Sequence, residues 1–142
     1  MPDFRMKDWL FYSLLAIVAW GFWAFLPKVA LTWLDPKSVF IYEAIGGALT
    51  GLLAWIILRP ELGLDIRGII PSILTGVCGF IGIFCFLYAI RTGKVSIVAP
   101  LTALYPVVSL ALAVFFFKEK MNVVQLTGIA LAIVSVVLIS HE

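Results

Sequence analysis

Two charged residues lie inside long apolar runs of this sequence, and they are the first candidates for chemistry. Lys28 lies four residues before the predicted end of one run, and Glu43 lies five residues after the predicted start of the next. At about 1.5 Å per helical residue, this spacing predicts depths of about 6 Å and about 7.5 Å below one membrane surface. A charge near the bilayer centre costs about 2.5–3.5 kcal/mol on insertion scales, so such residues tend to have a function.

The nearly equal predicted depth of Lys28 and Glu43 leaves two interpretations open. In the structural one, the two side chains form an ion pair, or the Lys28 ammonium extends to the membrane interface. In the functional one, they form a couple that binds a proton or a substrate inside a cavity.

Aromatic and hydroxyl side chains in the apolar runs are candidate cavity-lining groups. Aromatic rings would accept flat or cationic solutes through stacking and cation–π contacts. The same rings are also ordinary packing groups between membrane helices, and the hydroxyl groups suit either role. The candidate residues are Trp20, Trp23, Thr50, Tyr88, Thr102, Tyr105 and Ser109.

Two prolines in the fourth apolar run predict an irregular helix. Proline removes a backbone hydrogen bond and clashes with the preceding helical turn. Pro100 lies in the second turn of the predicted helix, where the cost is lower, whereas Pro106 lies near its middle. A bend at Pro106 would free carbonyl groups at mid-membrane depth, and it is either a structural kink or a functional hinge.

Five apolar runs must position these groups, because the sequence is 63% hydrophobic and only 13% charged. That composition lies outside the range of soluble domains and predicts an integral membrane protein. Each run has about the 20 residues that a helix needs to cross about 30 Å of hydrocarbon, and the short connections force neighbouring helices to be antiparallel. We predict one all-α membrane domain over residues 1–142 with helices at residues 9–32, 38–58, 68–90, 95–117 and 121–140.

Other functional classes find little support in the sequence. The net charge is only +2 and the basic residues form no stripe, which argues against nucleic acid as a partner. The single histidine, His141, is the penultimate residue, and no catalytic triad, phosphate-binding glycine loop or metal-ligand cluster occurs at useful spacing. Cys78 and Cys85 lie on one predicted helix, which argues against a disulfide framework. We therefore expect no enzyme activity, no metal and no cofactor.

Charged and small residues give a first view of orientation and assembly. Six basic residues flank the runs on the N-terminal side against four on the other, so the N-terminus and residues 59–67 and 118–120 are predicted cytoplasmic. The small difference leaves room for insertion in both orientations. Small residues on the fifth predicted helix permit close helix approach and mark a candidate dimer interface, formed by Gly128, Ala132 and Ser135.

Several short motifs occur in the order found in a known family. The second half of the chain resembles the second part of the EamA repeat of the drug/metabolite transporter superfamily, through Tyr88-Ala89, Gly93-Lys94-Val95-Ser96-Ile97-Val98-Ala99-Pro100, Tyr105-Pro106, Phe117-Lys118-Glu119 and Gln125-Leu126-Thr127-Gly128. The first half resembles the start of the same repeat through Trp20-Gly21, Pro27-Lys28 and Asp35-Pro36. Glu43 departs from the family pattern, since many relatives have an arginine near the start of the second helix.

The resemblance implies a secondary transporter of small organic metabolites or drug-like solutes in the cytoplasmic membrane of a prokaryote. Most relatives carry two five-helix repeats of opposite orientation around a substrate cavity, whereas this chain has one. We therefore expect a dimer with alternating access, either an antiparallel homodimer or a pair with a separate half-transporter, and proton coupling through the membrane acid. The alternative is a non-transporting membrane subunit that completes or regulates another membrane protein.

Overall fold

The computed structural model describes residues 8–140, and over that range the chain is helical with no β-strand. Five segments are long and apolar enough to cross a membrane, which confirms the predicted fold class. The fourth of these spans consists of two helices in sequence. The helices are α1 (Asp8–Ala30), α2 (Pro36–Leu58), α3 (Ile66–Thr92), α4 (Val95–Thr102), α5 (Tyr105–Phe117) and α6 (Val123–Ser140).

An aspartate cap determines where α2 begins. The Asp35 carboxylate accepts hydrogen bonds from the backbone N–H groups of Lys37 and Ser38, at 2.9 and 3.2 Å, and from the Ser38 hydroxyl at 2.7 Å. Pro36 occupies the first helical position, where its fixed φ suits the helix and its missing N–H costs nothing. The helix therefore begins two residues earlier than the apolar pattern alone predicted.

A reciprocal cap determines where α6 begins. The Asn122 side chain accepts a hydrogen bond from the Gln125 backbone N–H at 2.8 Å, and the Gln125 side chain accepts one from the Asn122 N–H at 2.9 Å. This arrangement satisfies two N–H groups that have no intrahelical partner. It delays the start of the helix to Val123, two residues after the predicted start.

The fourth span is interrupted between α4 and α5. Pro106 has no N–H to donate to the carbonyl of Thr102, four residues earlier, and α4 ends at Thr102. The chain crosses the interruption through a tighter hydrogen bond from the Leu104 N–H to the Leu101 carbonyl at 3.2 Å. Pro100 lies inside α4 without breaking it. The expected irregularity at Pro106 is therefore present, and its function as a hinge stays a prediction.

The chain divides into two compact units, one reaching to Arg91 and one beginning at Thr92. In the second unit, α4 packs against α6. In the first unit, the buried residues cluster where α1 ends, α2 begins and α3 ends. The buried side chains of this cluster are Pro27, Pro36, Val39, Phe86, Leu87 and Ile90.

Ring contacts set the helix directions in the first unit. The Trp23 ring stacks on Phe86 with centroids 5.4 Å apart, and Lys28, further along α1, contacts Ile90, further along α3, so α1 runs parallel to α3. The Phe40 ring packs edge-to-face on Phe84 at 5.5 Å and on Phe80 at 6.0 Å. Gly47, further along α2, faces Phe80, so α2 runs antiparallel to α3.

The Asp35 cap generates a prediction about thermal stability and pH. Hydrogen bonds from Ser38 hold the pKa of the Asp35 carboxyl below its ordinary value of 3.8. The bond from the Ser38 hydroxyl has the larger effect and the bond from its backbone N–H the smaller. The ionised cap therefore stabilises the folded protein above about pH 3.8, and this contribution is lost as the pH falls below that value.

We expect Asp35→Ala to lower the midpoint of thermal unfolding in detergent at pH 7, with Asp35→Asn intermediate because an amide oxygen still caps. The difference between the original protein and Asp35→Asn should shrink when circular dichroism melts are repeated below pH 3.8. An unchanged melting midpoint for Asp35→Ala at pH 7 would show that the cap does not stabilise α2.

Candidate functional site

Glu43 lies on the face of α2 that packs against α3. Phe40 is three residues before it and Gly47 four residues after it, which puts the three on one side of a helix. Phe40 contacts Phe80 and Phe84, and a Cβ atom added to Gly47 would lie 3.5 Å from the tip of the Phe80 ring. The acid is therefore held between two positions that both face phenylalanine rings of α3.

The Glu43 carboxyl group is buried without a partner. Both of its oxygen atoms are inaccessible to solvent and accept no hydrogen bond from any residue in the range 8–140. Burying a bare negative charge without a hydrogen bond or an opposite charge is strongly unfavourable. A proton or another cation must therefore accompany this carboxylate.

Lys28 has a different neighbour from the one its predicted depth suggested. Its ammonium group donates a hydrogen bond of 2.5 Å to the backbone carbonyl of Ile90, in the last turn of α3. Carbonyls in the last turn lack intrahelical partners and carry the negative end of the helix dipole, so a lysine there is favourable. Lys28 therefore ties the end of α1 to the end of α3.

The observed helix ends put Lys28 and Glu43 at different distances from the ends of their helices. Lys28 is two residues before the end of α1 at Ala30, about 3 Å along the helix, whereas Glu43 is seven residues after the start of α2 at Pro36, about 10.5 Å. The sequence estimate of equal depth used a later end for α1 and a later start for α2. Among the residues that the structure describes, the two side chains form no hydrogen-bonded ion pair.

One of the predicted aromatic candidates, Tyr88, belongs to the cluster of rings on the Glu43 face, whereas Trp23 contacts a different ring of α3. Trp23 stacks on Phe86, and Tyr88 lies against Phe84 with ring centroids 4.9 Å apart. Trp20 is 59% exposed, on a surface of α1 suited to lipid contact. Trp23 and Tyr88 therefore have ring contacts with side chains of α3 but stay partly exposed, at 41% and 39%, and Trp20 is more exposed than either.

The candidate hydroxyl groups are bonded to their own helices. Thr50 donates to the Gly46 carbonyl at 2.9 Å, and Ser109 donates to the Pro106 carbonyl at 3.1 Å. Thr102 donates to carbonyls one turn earlier in α4. Thr102, Ser109 and the exposed Tyr105 belong to the second unit. Their role in solute binding stays a prediction.

The candidate dimer residues lie on an open surface of α6. Gly128, Ala132 and Ser135 are all exposed, and nothing in the described part of the chain lies within 4 Å of a Cβ atom added to Gly128. This surface has room for close approach by another helix.

The sequence analysis missed the phenylalanine cluster opposite Glu43. Phe80, Phe84 and Tyr88 recur every four residues on α3, and this spacing puts three rings on one helical face. Phe40, Glu43 and Gly47 follow the matching pattern on α2. These two periodicities, read together, would have indicated which faces of α2 and α3 meet.

Comparisons with known proteins agree with the helical architecture. The model of the EamA-like transporter family matches residues 7–141. An uncharacterized protein of Methanocaldococcus jannaschii is 29% identical over 135 residues, covering 95% of this chain and 98% of that protein. No solved structure matches the chain significantly.

The separate environments of Lys28 and Glu43 predict independent energetic contributions. Lys28→Met removes a charged hydrogen bond and should lower the free energy of unfolding by roughly 1.5–3 kcal/mol. Its effect should be the same within about 0.5 kcal/mol when Glu43→Gln is also present. Titration with a denaturing detergent measures all four proteins of this cycle. A clearly smaller loss of unfolding free energy for Lys28→Met in the Glu43→Gln background would instead indicate that Lys28 and Glu43 form an ion pair.

Proposed function

The chain belongs to the EamA-like transporter family, and from that premise we propose that it is a secondary transporter of small organic metabolites or drug-like solutes. It is a multi-pass membrane protein with five apolar spans. The observation that most supports transport is the buried Glu43 carboxyl, which has no hydrogen-bond partner among residues 8–140. An isolated acid inside a span is costly to keep for structure alone, and solute or proton binding gives it a use.

We propose that the working transporter is a dimer of five-helix halves with alternating access. Transporters of this kind rock two repeats about a central site, and this chain supplies one repeat. The open small-residue surface of α6 around Gly128 supports a second chain as the other half. The second chain is an antiparallel copy or a separate half-transporter. The five apolar spans support a membrane location, and the similarity to a protein of the prokaryote Methanocaldococcus jannaschii supports the cytoplasmic membrane of a prokaryote.

We propose that the same acid couples transport to protons. A carboxyl group that loses its proton when the site opens to water and regains it on closure links solute movement to a proton gradient. Lys28 remains on the Ile90 carbonyl in this scheme and does not neutralise the acid.

A non-transporting membrane subunit is the second candidate function. The exposed surface formed by Gly128, Ala132 and Ser135 favours it, because such a surface also suits permanent packing against another membrane protein. The two functions differ in one observable, since only a transporter moves solute when the purified protein is reconstituted without other proteins.

We expect flux in liposomes that contain the purified protein and an imposed proton gradient, screened with amino acids, organic cations and other metabolites. Glu43→Gln keeps the shape of the side chain but cannot exchange a proton, so it should abolish proton-driven flux while the helical content stays unchanged. Glu119→Gln, in the segment between α5 and α6, is the matched control and should transport normally. Normal transport by Glu43→Gln with the same pH dependence would contradict proton coupling.

We expect α6 to form the contact between the two halves. With Cys78 and Cys85 replaced, Ser135→Cys should form a cross-linked dimer in native membranes, and adding Gly128→Leu should reduce it because the bulky side chain prevents close approach. Gly21→Leu, at an open glycine on α1, is the control and should leave the cross-link unchanged. A strictly monomeric protein with full flux would refute the dimer.

A further inference from the structure

We propose that the hydrogen bond between the Lys28 ammonium and the Ile90 carbonyl is a releasable latch that holds the first unit closed at one membrane surface. We use the term packed end for the end of this unit where α1 ends, α2 begins and α3 ends. The inference deepens the proposed alternating access, on which it rests, by assigning the contact that controls opening at the packed end.

Packing within the first unit is concentrated at the packed end. Phe86 and Ile90 near the end of α3, and Val39 near the start of α2, are at most 4% exposed. By contrast, none of residues 48–75 is buried, and these residues form the second half of α2, the segment after it and the first part of α3. The side chains of these helices therefore close the unit near one membrane surface and leave it loosely packed toward the other.

The connections between the helices allow α3 to separate from α1 and α2 at the packed end. Residues 31–35 join α1 to α2 there, so the chain itself holds those two helix ends together. Residues 59–65, which join α2 to α3, lie at the opposite end of the unit. The end of α3 is therefore held to α1 and α2 by non-covalent contacts, which a transport cycle can break and remake.

Lys28 contributes a charged contact between α1 and α3. Its ammonium donates a hydrogen bond of 2.5 Å to the Ile90 carbonyl, in the last turn of α3, where carbonyls have no intrahelical partner. A hydrogen bond from a charged donor is stronger than one between neutral groups. The stacked rings of Trp23 and Phe86 lie about one turn earlier along both helices, so an apolar contact aligns the same pair of helix ends.

Both partners of this bond have water as an alternative when the packed end opens. Lys28 is two residues, about 3 Å, from the end of α1, and Ile90 is two residues, about 3 Å, from the end of α3. A lysine side chain at that depth extends to the membrane surface, and a carbonyl in the last helical turn accepts hydrogen bonds from water there. Lys28 therefore stays on the Ile90 carbonyl while the opposite end is open, and it releases the carbonyl when the packed end opens.

The test measures the distance between spin labels at the ends of α1 and α3 by electron paramagnetic resonance in lipid nanodiscs. Trp33→Cys and Arg91→Cys carry the labels in the full chain with Cys78 and Cys85 replaced, and excess unlabelled protein suppresses signals between chains. We expect Lys28→Met to raise the ratio of a longer, well-defined distance to the shorter one by at least about tenfold, because a charged hydrogen bond is lost. Lys28→Arg should keep the ratio of the unaltered protein, because it retains a charged donor.

Lys37→Met is the matched control, because it removes an exposed lysine at the packed end and should leave the ratio unchanged. Circular dichroism melts confirm that each variant is folded. Lys28→Gln, which keeps a donor without the charge, replaces Lys28→Met if that variant does not fold, and it should raise the ratio in the same direction. An unchanged ratio would overturn the latch. A single broadened distance would also overturn it, because this result indicates local loosening and no second state.

The failure of the latch and the failure of transport give different results. Liposome flux by the unaltered protein, with no change of the distance ratio in Lys28→Met, would overturn the latch and leave transport standing. A shift to the longer distance in Lys28→Met, without flux of any solute by the unaltered protein, would support the latch and overturn transport.

Discussion

The packing of the last two turns of α3 against the end of α1 and the start of α2 is the contact on which the first unit depends. Leu87 and Ile90 are completely buried there, and Phe86 is 4% exposed. The Ile90 carbonyl also receives the Lys28 ammonium, so apolar packing and a charged hydrogen bond act at the same place. Elsewhere in the unit most side chains are exposed, and in a bilayer lipid provides no hydrophobic driving force for helix association. This contact therefore sets how α1, α2 and α3 lie along one another, and with it the position of Glu43.

Much of the architecture could be predicted from the sequence, because hydrophobic length is a direct physical constraint in a bilayer. The five spans follow from runs that must cross the hydrocarbon with every backbone group bonded. The interruption near Pro106 was predictable for an equally local reason, since the missing N–H of a proline affects a carbonyl at a known distance along the chain. These features depend on neighbours in sequence.

The candidate site was less predictable because it depends on helix ends and on contacts distant in sequence. The apolar pattern does not reveal that the Asp35 side chain caps α2 and moves its start. A change of two residues at the end of α1 and at the start of α2 was enough to alter the distances of Lys28 and Glu43 from those helix ends. Lys28 donates a hydrogen bond to the Ile90 carbonyl, 62 residues away in the chain, and no pattern in the sequence around either residue indicates this contact. Glu43 itself was identifiable, because a charge in an apolar run is conspicuous whatever surrounds it.

The break in the fourth span has a consequence for how the chain enters the membrane during synthesis. Helix α4 has 8 residues and α5 has 13, which at about 1.5 Å per residue gives about 12 Å and 20 Å, each too short to cross the hydrocarbon alone. The insertion machinery must therefore accept both helices as one hydrophobic segment. The segment is apolar throughout, although its helix is interrupted. Ala103 and Leu104, which join the two helices, contribute to this continuity through their apolar side chains. A charge at either position would act first on membrane integration, before any effect on the folded protein.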